Sequence, residues 1–215
     1  VLPFSLRRQR QLCLRDRIIW SPDREAFDMD IEKLEEAARL IIEAVGENPA
    51  REGLRETPKR FAEMMAEQLA YAAVTNKEIA KEFNKTFESP ESDMVVVKDI
   101  SIFSHCEHHI ALMYNMHAAV GYIPRGRVIG LSKVARIADA VSKRLQIQER
   151  IGKDIRDIMI EITGSPDVIV LLEGEHSCMT ARGIKKPGAL TKTIACGGRF
   201  EKESSLRNEF LSMLR

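Results

Sequence analysis

The stretch "MVVVKDISIF", from Met94 to Phe103, marks a change of hydrophobic period that restricts the fold more than any other feature of the chain. Before it, apolar residues recur at helical spacing. "DMDIEKLEEAARLIIEAVGEN" sets Ile31, Leu34, Ala38, Ile41 and Val45 on one stripe, with Asp30 as N-cap and Gly46, Asn48 and Pro49 as the stop. "TPKRFAEMMAEQLAYAA" predicts a second helix, with Thr57 as N-cap, Pro58 in the first turn, and Phe61, Met64, Met65, Leu69 and Ala72 on the apolar face. From Met94 onward β-branched residues dominate, and Ile100 and Ile102 alternate with Ser101 and Phe103. "NMHAAVGYIP" predicts a second strand, ended by Pro124. Two helices follow, "LSKVARIADAVSKRL" with Leu131, Val134, Ala138, Val141 and Leu145 inward, and "QIQERIGKDIRDIMIEI" with Ile147, Ile151, Ile155, Ile158 and Ile162 inward. "DVIVLLEGEHSCM" and "LTKTIACGGRF" predict two further strands, and "SSLRNEFLSMLR" a last helix.

Strands that come in consecutive pairs, with the helices between the pairs, do not build a doubly wound parallel sheet. They predict an α+β fold, an antiparallel four-stranded sheet with two helices on one face, preceded by an N-terminal helical subdomain. The expected divisions are a basic tail over 1–28, a helical region over 29–90 and the main domain over 91–215. The tail, "VLPFSLRRQRQLCLRDR" and onward, has several arginines, no acid before Asp16 and no apolar run of the kind a secretory signal needs; it is read as flexible.

Charge narrows the partners. Lys and Arg number 33 and Asp and Glu 32, so no net field calls for nucleic acid or a membrane surface. Apolar runs such as "VIVLL" are too short to span a bilayer. The four cysteines, Cys13, Cys106, Cys178 and Cys196, are widely spaced, which suits a reducing compartment such as the cytoplasm and a metal or catalytic use.

That use is concentrated in "SHCEHHI", Ser104 to Ile110, which holds His105, His108 and His109 of the chain's five histidines. Cys106 and His109 stand at a C-x2-H spacing common in zinc sites. Adjacent residues usually point apart, so His108 and His109 are not expected to share one ion. Cys178, in "EHSCMTARG", is the best candidate for a third ligand, and it too has a histidine nearby, His176. Three protein ligands leave a position open, as catalytic zinc requires, with His108 and His176 available for proton transfer. A structural site whose shell is closed by His108 or His176 is the competing reading.

Other residues suit an anion. "GLSKVAR" puts Ser132 and Lys133 at a helix start, with Arg136 one turn on, where free N–H groups and the helix dipole favour phosphate. Arg182 follows Cys178 closely. Gln148 and Glu149, at the junction of two helices, offer an amide and a carboxylate for a purine edge, or a helix cap and a partner for Arg150.

"CEHH", "GYIP", "GLSKVARI", "QIQER" and "HSCMTARG" occur in the order and approximate spacing of the GTP cyclohydrolase I family, and the resemblance runs from about Glu32 to Arg215, including "ETPKR". It implies the tunnelling fold (T-fold), subunit sheets joined in a homodecamer, and active sites shared between neighbouring subunits. It implies zinc-dependent opening of the guanine imidazole ring of GTP, giving formate and 7,8-dihydroneopterin triphosphate. By motif, it implies Cys106, His109 and Cys178 as zinc ligands and His108 and His176 as proton-transfer groups. It implies Gln148 and Glu149 as guanine anchors, Ser132 at ribose and phosphate, and Lys133, Arg136 and Arg182 on the triphosphate. The segment after "CEHH" departs from the family's pattern, and Glu63 stands where some members place a phosphate-binding lysine. A nitrile reductase of the same fold would not need the Cys106–His109–Cys178 set.

Overall fold

The computed structural model describes residues 29–215; the predicted tail, 1–28, and Cys13 lie outside the described residues. Two compact units emerge, 29–67 and Gln68–Arg215.

In the first, α1 (Ile31–Ala44) is capped as predicted, with the Lys33 amide donating to the Asp30 carboxylate at 2.9 Å. Its buried residues are Ala38 and Ile42, whereas Ile41 and Val45 are 56% and 72% exposed. Leu40, Ile41 and Ile42 are consecutive, so periodicity alone does not choose which of them turns inward. Helix α2 (Thr57–Gln68) includes Thr57 rather than being capped by it, since the Arg60 amide already bonds the Glu56 carbonyl.

The second unit opens with a helix that the sequence pattern does not reveal, α3 (Asn76–Phe83). Thr75 and Glu78 form a capping box, each side chain accepting from the other's backbone amide. Ile79, Ala80 and Phe83 enter the main core, so the unit begins well before the expected boundary near residue 90. Then follow β1 (Thr86–Glu88), β2 (Val95–Cys106), β3 (Ala111–Tyr122), β4 (Arg127–Ile129), α4 (Leu131–Ser142), β5 (Leu145–Gln146), α5 (Gln148–Thr163), β6 (Val168–His176), α6 (Ser177–Thr180), β7 (Thr191–Cys196), α7 (Arg199–Lys202) and α8 (Ser204–Met213).

Strands β1 and β4 pair by themselves; the central sheet has the order β5-β2-β3-β6-β7. Its four long strands are antiparallel. The fifth, β5, is absent from the sequence expectation: it runs parallel to β2, setting Gln146 opposite Cys106. Two residues are too few for a period to show in sequence.

Strand alternation divides the sheet between two cores. Ile100, Ile102, Ala118, Val120, Val170 and Leu172 pack with Val134, Ile137 and Val141 of α4 and Ile151, Ile155 and Ile158 of α5. The interleaved Ala119 and Ile169 meet Phe200 of α7 and Phe210 of α8 instead, whose rings stand edge-on at 6.5 Å. Helices therefore touch both faces, not one. Gly121 permits the α8 contact, because a Cβ there would lie 2.7 Å from the Phe210 ring.

One buried polar network braces the sheet edge where β5 lies. Arg144 donates to the carbonyls of Tyr71 and Val74, to Asn76 and to Asp154, and Gln146 also donates to Asp154. Burial pushes the Arg144 guanidinium below its ordinary range, and the Asp154 charge opposes this. Among the described residues, no helix is long and apolar enough to cross a membrane.

Candidate metal centre and substrate site

Strand β2 ends at Cys106, and the chain reverses into β3 within four residues. The amides of His109 and Ile110 both bond back to the Cys106 carbonyl, at 3.3 and 2.8 Å. Closing this turn puts Ile110 at φ +50°, a left-handed conformation that a β-branched residue rarely adopts. The turn is also held from outside: the Glu107 amide bonds the Gln146 carbonyl of β5, and the Glu107 carboxylate takes a two-pronged ion pair from Arg150 of α5, at 2.6 and 3.2 Å. That pair holds the Glu107 carboxyl below its usual range.

The third donor arrives from across the sheet. Strand β6 carries the chain to His176, and the backbone then turns into α6, so Cys178 sits in a helical turn rather than in the predicted strand. Tyr114 of β3 pins that turn, its hydroxyl lying 3.1 Å from Thr180 Oγ1 and 3.3 Å from Glu175. Cys106, His109 and Cys178 consequently present donor atoms all within 4.8 Å of one another. Burial and the neighbouring Cys106 push the Cys178 thiol up, and Arg182 opposes them. A divalent cation would reverse that balance by stabilising both thiolates. Two soft sulfurs and an imidazole are a donor set that fits zinc.

Two other histidines border this triad. His108 Nδ1 lies 3.7 Å from Cys106 Sγ, but the ring is edge-on to His109 and the residue is exposed. His176 turns to Gln148, Nε2 to Oε1 at 2.9 Å. Burial holds the His176 imidazole below its ordinary range, against the pull of Glu149. The Gln148 side chain is 1% exposed and committed within the subunit, whereas Glu149 is exposed. The Arg182 guanidinium contacts His109 Nε2.

Ser132, Lys133 and Arg136 lie elsewhere, on the first turns of α4, which has Gly130 as N-cap and no side-chain cap. The Lys133 ammonium sits 5.7 Å over the Phe83 ring. Among the described residues, no hydrogen bond or ion pair ties these three side chains to the thiol cluster. Sequence reasoning missed Tyr114, Arg150 as the partner of Glu107, and Thr180. The proximity of "QER" and "CEHH" across β5 is not visible without β5 itself.

The chain is a mixed α+β fold whose sheet brings together two thiols and an imidazole, a group that could hold a metal ion. A sequence profile of GTP cyclohydrolase I matches residues 34–215. The chain is 55% identical over 194 residues to GTP cyclohydrolase 1 of Clostridium acetobutylicum, covering 88% of this chain and all of that one. It is 53% identical over 191 residues to GTP cyclohydrolase 1 of Clostridium botulinum strain Loch Maree, covering 86% and 97%. Among solved structures, the apo archaeosine synthase QueF-Like is similar with a TM-score of 0.40 and 19% identity, over 52% of this chain and 97% of that one. The chain belongs to the GTP cyclohydrolase I family and is an enzyme of that family.

Proposed function

We propose that the chain opens the imidazole ring of GTP by hydrolysis, releasing formate and giving 7,8-dihydroneopterin triphosphate, with zinc held by Cys106, His109 and Cys178. The observation that carries this reading is the convergence of those three donors within 4.8 Å, from two distant segments of the chain. Zinc bound there supplies a water activated for attack at neutral pH.

The reacting atom is C8, the imidazole carbon between two nitrogens. The exposed Glu149 carboxylate takes the guanine N–H edge and so sets which atom faces the metal, with Gln148 beside it at the purine. Ser132 holds the ribose and adjoining phosphate, and Lys133, Arg136 and Arg182 hold the triphosphate. His108 and His176 deliver protons to the nitrogens that depart as the ring opens and the formyl group is hydrolysed away. A homodecamer whose sites are shared between neighbouring copies is part of this reading. Neither nucleic acid nor membrane is a partner in this reading, and the free thiols suit the reducing cytoplasm.

The test is incubation of the metal-loaded protein with GTP, following formate release and, after oxidation, pterin fluorescence. Turnover that disappears on chelation and returns with zinc is expected. Metal-loaded protein that releases no formate overturns the reading. Sedimentation velocity checks the decamer.

A further inference from the structure

Gln148 is the first residue of α5, and its side chain is buried against the β6–β7 pair. Its amide nitrogen lies 3.2 Å from the Leu172 carbonyl oxygen, 3.0 Å from the Thr191 carbonyl oxygen and 3.3 Å from Thr193 Oγ1. A carbonyl oxygen only accepts. The NH2 end of the amide must therefore face the strands, which decides the orientation that side-chain amides ordinarily leave ambiguous. The oxygen end then faces His176, at 2.9 Å from Nε2. Oε1 also only accepts, so Nε2 must carry a hydrogen, and in a neutral imidazole Nδ1 is then left with the lone pair.

We propose that Gln148 is a positioning residue that fixes the His176 ring and holds it in its Nε2–H tautomer, with Nδ1 as the unprotonated ring atom. The proposal deepens the function above and rests on its reading of His176 as the proton-transfer group. It also gives Gln148 and Glu149 different roles, the buried amide facing inward to the imidazole and the exposed carboxylate facing outward to the base. An amide suits the inward position better than a carboxylate. It orients the ring without adding negative charge beside two carbonyl oxygens, and it does not stabilise the imidazolium as a carboxylate partner does.

The tautomer can be read directly from solid-state 15N spectra of the full-length, zinc-loaded protein with labelled histidine, in mildly alkaline buffer. Signals missing from His176→Asn identify the residue. The wild type is expected to show His176 with protonated Nε2 and bare Nδ1. Gln148→Met keeps the length and removes the acceptor; it should show mixed tautomers and a kcat for GTP lower by about 10–100-fold, beyond any rise in KM from its place at the purine. A wild type dominated by the Nδ1–H form overturns the proposal, whether or not the variant folds. So does a Gln148→Met protein with an unchanged tautomer and a raised KM alone, which would give the amide to guanine only. Wild-type protein that turns over no GTP overturns the enzymatic reading and not the tautomer, which the spectrum reads independently.

Discussion

The turn after β2 and the first turns of α4 both carry proposed active-site residues, yet they are built in opposite ways. The turn is braced from every side: by its own amides on the Cys106 carbonyl, by β5, by Arg150 and by the buried Arg144–Asp154 network behind β5. The α4 turns present the Ser132, Lys133 and Arg136 side chains with no side-chain hydrogen bond or ion pair among the described residues, the Lys133 ammonium resting only over the Phe83 ring. A metal site needs donors fixed to within fractions of an ångström, and internal contacts supply that. A phosphate site works through charge and can close on its ligand when the ligand arrives, so its cations gain nothing from internal partners that would compete.

The largest expected effect comes from breaking the braced region at its distant donor. Cys178→Ser should bring bound zinc, by elemental analysis, well below one ion per chain and GTP turnover to background. Its melting curve with excess chelator should match the chelated wild type. Retained stoichiometric zinc would mean the three donors do not act together.

Within the turn, His109 and His108 separate binding from chemistry. His109→Ala should lose zinc. His108→Ala should keep zinc and assembly and lose roughly 10²–10⁴-fold in rate, the usual worth of a placed acid–base group. A closed structural zinc shell predicts instead that either change lowers the melting temperature and neither selectively affects turnover. The reverse pattern, zinc lost from His108→Ala alone, would reassign the ligand.

Glu149→Ala samples the border between the two regions. It should leave zinc in place and cost about 1–3 kcal/mol of selection for guanine, through N–H donors left without an acceptor. Equal kcat/KM for GTP in the variant and the wild type would remove Glu149 from the base.

In the unbraced region the losses should be smaller and dependent on salt. Lys133→Ala should raise KM for GTP by about tenfold at low ionic strength and less as salt increases, with kcat nearly unchanged, because a cation at the helix start acts on phosphate through a charge that salt screens. A fall in kcat with constant KM would place the half-buried Lys133 in the chemistry.

The smallest effect should come from Ile110. Glycine relieves the left-handed strain at φ +50° and loosens the unfolded chain, so Ile110→Gly should change stability by no more than about 1 kcal/mol in either direction. A several-degree gain in melting temperature with weaker zinc binding would show that the strain holds the metal turn in shape.

Much of the fold and of the candidate metal centre is legible without coordinates. The period change at Met94 foretells the long strands, and four of the five isoleucines expected inward, Ile151, Ile155, Ile158 and Ile162, are buried on α5, whereas Ile147 is its half-buried N-cap. "CEHH" and "HSCM" name the donors, because thiolate and imidazole at short spacing have few other uses. Helix α3 escapes notice because its capping box lies in a polar stretch with little apolar period. The inward residues of α1 are misjudged because three large aliphatic residues stand side by side.

Residue types and short-range spacing are properties of neighbours in the chain, so the sequence by itself determined which groups are candidate metal donors, where the long helices and strands run and which strands pair as hairpins. Convergence is a property of residues far apart in it. Only the tertiary structure decided that α6 turns Cys178 toward Cys106, that β5 ties "QER" to "CEHH", that α8 closes over the second sheet face at Gly121, and that the Gln148 amide faces His176. Each depends on how segments far apart in the chain meet after the core has packed, and that balance of distant contacts leaves no local trace in the sequence.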